Sequence, residues 1–274
     1  MSIYRYYRIY SKRFTFFKIC ANLLTMAGFR TYFDFNSYNG ENSIFLSEEE
    51  SNHLCGSLRA KIGDNVDAFD LSGNIFKCEI LTANKKRTNL KILEKIPPQE
   101  KSTEVYLLQC LPKGKTFDEI IRQAVEVGAS GIYPIMSQFS QVRLDETDAI
   151  KKQQKWISQV VEAIKQSSNF SGFEIFKPNS FNITIANMPN FDLKIVASLQ
   201  ENSKRIADIF KTLKSIPKKI AILIGPEGDM STQEYKIASD YGFIPATLGK
   251  NVLKSETAAL TAISQVMAST DFLR

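Results

Sequence analysis

AILIGPEGDMSTQE, Ala221 to Glu234, is the stretch on which the reading of this chain turns. An apolar run enters Gly225-Pro226-Glu227-Gly228, and Ser231-x-x-Glu234 then has the spacing of a capping box. Strand, tight loop and helix follow at once, an arrangement that binds ligands in α/β proteins. The loop lacks the Gly-Lys-Ser/Thr ending of a P-loop and is not G-x-G-x-x-G. A second glycine-ended strand follows in ATLGKNVLKSETAALTAISQV, ending at Gly249. Neither loop offers a lysine and hydroxyl pair for Mg²⁺ and a γ-phosphate. Two backbone-rich loops of this kind suit a ligand recognised by an adenine edge, a ribose and apolar contacts.

Upstream the same rhythm continues. VYLLQC, GIYPIM, LKIVASL, KIAILIG and FIPATLG are short apolar strands with helical segments between them. That alternation predicts a mostly parallel sheet covered by helices on both faces. Thr116-x-x-Glu119 is expected to cap FDEIIRQAVEV, and a further amphipathic helix starts near Asp145. Residues 30–93 read differently, as short strands (RTYFDF, NVDAFD, NIFKCEIL, NLKILE) separated by turns. One helix interrupts them, with Ser47 and Glu50 as an expected capping box. A small barrel is the natural packing solution. KIPPQEKS, with Pro97-Pro98, reads as the linker. The expected division is a leader over 1–25, a barrel over 26–97 and an α/β domain over 103–274.

The 274 residues are 43% hydrophobic and 23% charged, with no apolar run long enough to span a membrane as a helix. Of the net charge of +6, five basic residues lie in the acid-free first 25; the remainder holds 30 basic against 29 acidic residues. Nucleic-acid affinity must therefore come from a local basic face. Four scattered cysteines and one histidine make a poor metal set, so no metal is expected, and reduced thiols point to the cytoplasm. His53 reads as a packed or capping residue. The leader is basic and aromatic, too interrupted by charge for a signal peptide and too poor in serine for a transit peptide. It reads as an upstream extension, with Met26 as the functional start.

LIGPEGDMSTQEYKIASDYGFIPATLGKNVLKSETAAL resembles the signature of the RsmE-type ribosomal RNA methyltransferases, trefoil-knot enzymes of the SPOUT class. HLCGSLRAKIGDNVDAFDLSGNIF and LPKGKTFDEIIRQAVEVGASGIYPIMSQFS are similar to two further family segments. The resemblance implies a PUA-like β-barrel followed by a trefoil-knotted α/β domain that dimerises. It implies S-adenosylmethionine as cofactor and N3 of a uridine in small-subunit (16S) ribosomal RNA as the methyl acceptor.

The cofactor-binding positions carried over from the resemblance fall in three loops. They are Ser198 and Leu199; Ile224, Gly225, Pro226, Glu227 and Gly228; and Leu248, Gly249, Val252, Leu253, Thr257 and Ala258. A side chain at Gly228 is expected to invade the ligand's space. Lys254, at a family arginine position, and Glu256, as the base or the holder of a basic water, are the implied catalytic pair. Arg30, Arg59 and Lys113 are the implied RNA contacts.

Several family basic positions are replaced: Phe139 and Asn169 stand for arginines, Gln123 for a lysine, and Lys254 for arginine. Asp229 replaces the second glycine of the first loop. These changes leave the cofactor loops largely intact and thin the RNA-binding side, because neither lysine, phenylalanine nor asparagine reproduces a guanidinium fork. A divergent or non-catalytic RNA-binding paralogue is the rival reading. A nucleotide-dependent oxidoreductase is weakened by the missing acidic residue about 20 positions after the loop. Truncation to begin at Met26 is expected to leave the urea midpoint and cofactor affinity unchanged; a drop in either would make the leader structural.

Overall fold

The computed structural model describes residues 28–272 apart from 36, 37, 39, 41 and 100. The leader, and the readings made of it, lie outside the described residues. Two compact units form: residues up to 69 with 76–95, and residues 70–75 with 96 onward. The hairpin tip Asp70–Ile75 clusters with the second unit.

In the first unit β1 (Phe29–Tyr32), β2 (Ser43–Phe45), β3 (Asn65–Phe69), β4 (Ile75–Thr82) and β5 (Asn89–Ile96) form a curled sheet of order β1-β3-β4-β5-β2. Phe33, Ile44, Leu54, Val66, Phe76 and Leu90 fill its core. Helix α1 (Glu48–Asn52) continues into a π turn over His53–Ser57. Ser47 caps α1 by accepting the Glu50 N–H at 3.2 Å. The reciprocal half of the expected box gives way to a tertiary contact. Glu50 is buried, and its Oε2 accepts the Thr31 hydroxyl at 2.7 Å and the Tyr32 N–H at 3.0 Å. A buried carboxylate is better served by two donors from β1 than by its own helix end.

The second unit is a parallel sheet. Its strands are β6 (Glu104–Cys110), β7 (Gly131–Met136), β8 (Glu174–Ile175), β9 (Asn179–Ser180), β10 (Leu193–Ala197), β11 (Lys204–Arg205), β12 (Lys219–Ile224) and β13 (Ile244–Thr247). The order is β11-β13-β10-β12-β6-β7-β8, with β9 also on β7. Successive side chains point to opposite faces. Leu108, Cys110, Tyr133, Ile135, Val196 and Leu223 pack on one face with α4 (Phe181–Asn187) and α6 (Thr232–Asp240). Their neighbours Leu107, Ile132 and Ile222 are equally buried, on the face that meets α2 (Thr116–Glu126) and α7 (Ser255–Phe272). Helix α3 (Glu146–Ser167) packs on α2, Trp156 against Phe117 with ring centroids 4.5 Å apart, and α5 (Ile206–Lys211) packs on α7.

Thr116 is not a cap. Helix α2 already includes it, and the N-cap is Lys115, with no side-chain cap. Gly114 (φ 64°) turns the chain immediately before, which starts the helix one residue early. Asn169, at a replaced arginine position, donates to the Val125 carbonyl at 2.7 Å and so satisfies the end of α2. Cys78 and Cys110 are buried free thiols, Cys55 is half-buried and free, and burial pushes the Cys78 thiol up to about 12. Among the described residues no helix is long and apolar enough to cross a membrane.

Lys101 donates to Ser130 Oγ and to the Gly172 carbonyl, both at 3.1 Å, and burial pushes its ammonium down to about 8 against the opposing pull of Glu104. The folded protein therefore binds fewer protons than the unfolded chain between about pH 8 and the ordinary lysine range. Stability from this group rises with pH across that window. Urea midpoints of wild type minus Lys101→Met, measured from pH 7 to 10, are expected to increase above pH 8; a flat difference would refute the burial effect.

Candidate functional site

The register brings three carboxyl ends together. Leu223 of β12 lies beside Val196 of β10 and Leu108 of β6, and Ala197 lies beside Ala246 of β13. The loops leaving β10, β12 and β13 enclose a cavity of about 530 Å³. Ser198 and Leu199 line it from the first loop; Ile224, Gly225, Pro226 and Glu227 line it from the second. Leu248, Gly249, Val252, Leu253 and, from the first turn of α7, Ala258 complete the wall on the third side. Lys254 and Glu256 are on the same wall, Lys254 exposed and Glu256 half-buried.

Gly228 and Thr257 are not on that wall. A Cβ built at Gly228 would meet only the Phe139 Cβ, at 3.7 Å, an ordinary contact. The tight position is Gly225, where an added Cβ would lie 3.3 Å from Met230 Cγ. Lys113 approaches the site through its backbone, its N–H donating to Glu227 Oε1 at 3.0 Å, while the residue as a whole is exposed. Arg30 and Arg59 belong to the first unit. Arg30 is in register with Asp67, whose carboxyl burial raises while Lys77 and Arg30 pull it back. Arg59 is exposed in the left-handed region at φ 59°.

The loops are held by side chains that serve the backbone. Glu234 completes the capping box with Ser231 and also accepts the Gln138 N–H at 2.8 Å. Gln265 of α7 donates to the Leu248 carbonyl at 3.2 Å. Ser255 Oγ accepts the Gln109 amide at 2.9 Å and lies 3.3 Å from the Gly225 carbonyl, to which it donates. The two glycine loops are thus tied at one buried hydroxyl.

Sequence reasoning missed three wall residues. Thr116 was assigned to a cap, Asp229 was noted only as a replaced glycine, and Tyr235 was passed over. Asp229 adopts φ 63°, and its Oδ1 accepts the Met230 N–H and the Tyr235 hydroxyl, both at 2.8 Å. Burial, and then the bond to Asp229, pushes the Tyr235 hydroxyl well above the usual phenol range. The signal for Tyr235 was available: four residues past the N-cap, it sits one helical turn above the loop.

Comparison with known proteins places this geometry. The RNA methyltransferase domain family matches residues 99–267, and the RNA methyltransferase PUA domain family matches 46–93. Ribosomal RNA small subunit methyltransferase E of Bacillus subtilis is 30% identical over 84% of this chain and 91% of its own length. The protein of that name from Aquifex aeolicus is 28% identical over 82% and 94%. A Legionella pneumophila methyltransferase solved with bound SAM superposes with a TM-score of 0.79 at 26% identity, covering 89% of this chain and 98% of that one. The fold is therefore a PUA-like barrel followed by a trefoil-knotted SPOUT α/β domain.

Ser255→Ala is expected to lower stability by about 1–3 kcal/mol, because it leaves the buried Gln109 amide short of a bond. Gly228→Ala is expected to change it by less than about 0.5 kcal/mol, in line with unobstructed surface positions. Urea denaturation of the two variants checks the contrast, and equal losses would refute it.

Proposed function

The chain belongs to the ribosomal RNA small subunit methyltransferase E family, and we propose that it transfers the methyl group of S-adenosylmethionine to N3 of a uridine in small-subunit (16S) ribosomal RNA. The observation that carries the reading is the cavity itself. Its volume of about 530 Å³ lies in the range of small-molecule sites, and glycine loops supply backbone polar groups beside apolar Ile224, Leu248 and Leu253. Those residues fit an adenosyl group, and Ser198, Leu199, Gly225 to Glu227, Gly249, Val252 and Ala258 would hold it. Gly228 and Thr257 are exposed and lie off that wall.

When bound, S-adenosylmethionine supplies a methyl group already activated by its sulfonium. The chain's task is to hold the acceptor in line and exclude water, an effect worth about 7–11 kcal/mol in well-aligned reactions. Glu256, directly or through a water, takes the N3 proton; a positioned base contributes about 10²–10⁴-fold. Lys254 steadies the base or a neighbouring phosphate. Lys113, with Arg30 and Arg59 on the barrel over 26–97, contacts the RNA backbone. Exposed Leu199 and Val252 (64% and 79% accessible) at the cavity rim support a homodimer that covers them. The place of action is the cytoplasm, where its substrate subunits are made.

Small subunits lacking the modification, incubated with the full chain and methyl-labelled S-adenosylmethionine, are expected to gain label at a uridine N3, read by mass spectrometry of the digested RNA. Lys254→Ala should lower kcat/KM at least about tenfold while the calorimetric Kd for S-adenosylmethionine stays within about twofold, and Lys254→Arg should retain activity. Cofactor binding without transfer by the wild type would favour the non-catalytic paralogue. No cofactor binding would defeat the proposal.

A further inference from the structure

The cavity wall is asymmetric in charge. Glu227, Asp229 and Glu256 bring carboxylates to it, against the single cation of Lys254. Glu227 is engaged with the Lys113 N–H, and Glu256 has its role in the reaction proposed above. Asp229 has none.

Its setting is specific. The left-handed backbone at φ 63° disfavours a side chain, and aspartate is among the few non-glycine residues that enter it readily. Here it stands where the family pattern has glycine. Oδ1 is fixed from two sides by the Met230 N–H and the Tyr235 hydroxyl. Ser198, in the loop after β10, lines the same cavity wall as Tyr235 and Asp229. Among the described residues Asp229, which is exposed, makes no ion pair and its Oδ2 accepts no hydrogen bond. A carboxylate held in place on a cavity wall, with one oxygen left over and no cation to meet it, is complementary to a positive charge on the ligand.

Resting on the function proposed above, we infer that Asp229 recognises a cationic centre of S-adenosylmethionine, and that Tyr235 positions it to do so. The cofactor carries two such centres. The sulfonium is lost in the reaction: N3 gains the methyl, the S–CH3 bonding pair returns to sulfur as a neutral thioether, and the N3 proton goes to Glu256 or its water. The α-ammonium persists in both substrate and product. A carboxylate at the sulfonium therefore favours cofactor over spent product; one at the ammonium strengthens both alike.

Calorimetry of the full chain with S-adenosylmethionine, and separately with S-adenosylhomocysteine, tests this. Asp229→Asn keeps an acceptor at Oδ1 and suits the left-handed backbone, so it removes the charge alone. It is expected to weaken S-adenosylmethionine binding roughly tenfold. Tyr235→Phe, which frees the carboxylate without deleting it, is expected to weaken it by a smaller factor. A loss confined to the cofactor assigns the sulfonium, and an equal loss for the product assigns the ammonium; either upholds the inference. Urea midpoints are recorded alongside, and Asp229→Gly, with the residue best suited to φ 63°, gives the same reading should the asparagine variant misfold. Binding by Asp229→Asn or Asp229→Gly within about twofold of wild type overturns the inference and leaves the function standing. Wild-type protein that fails to bind S-adenosylmethionine removes the function and the inference together.

Discussion

Ser255 Oγ sits at the start of α7 between the Gln109 amide and the Gly225 carbonyl. Gln109 is the residue of β6 in register with Ile224, the last residue of β12. One hydroxyl therefore joins a central strand, the loop that leaves its neighbour, and the helix that closes the fold. Gln109 and Ser255 are buried, so the bond between them must be made within the protein, while Gly225 is half-buried. The Gln109 amide nitrogen also donates to the Cys110 carbonyl at 2.9 Å, so both of its hydrogens are used inside the protein. Because the loops are fixed by main-chain and buried contacts, their wall-facing side chains are free to differ.

Asp229 is where that freedom has been used. A glycine at this place would meet φ 63° without strain and add no charge; the aspartate accepts the conformation and is stabilised by its bond to Tyr235. Asn169 shows the same economy on the other side of the unit. Its side chain is turned inward to the end of α2.

Most of that frame could be read in the sequence. The strands of the parallel sheet are buried on both faces and so appear as apolar runs; the capping box at Ser231 and Glu234 formed as written. What escaped reading depended on tertiary partners. Glu50 has the spacing of a box but serves β1; Thr116 has the spacing of a cap but lies inside its helix. The two-residue strands β8, β9 and β11 are too short to carry a period. Within the site, motif spacing located the three loops but not the direction of each residue, so Gly228 was placed on the wall and Tyr235 was not.

The strand order also governs when the site comes into being. β6 pairs with β12, joining Glu104 to Lys219, so the middle of the sheet closes only after more than a hundred residues have been made. Such long-range parallel pairing is slow to form, since the loop must close before the contacts reward it. The third side of the cavity arrives later still, with Gly249 and the start of α7. On the ribosome, the segment with the GPEG loop emerges before the helix that will anchor it. The binding site is thus among the last parts of the chain to mature, and a nascent chain stopped short of Ser255 would display its glycine loop without the tie from the Ser255 hydroxyl to the Gly225 carbonyl.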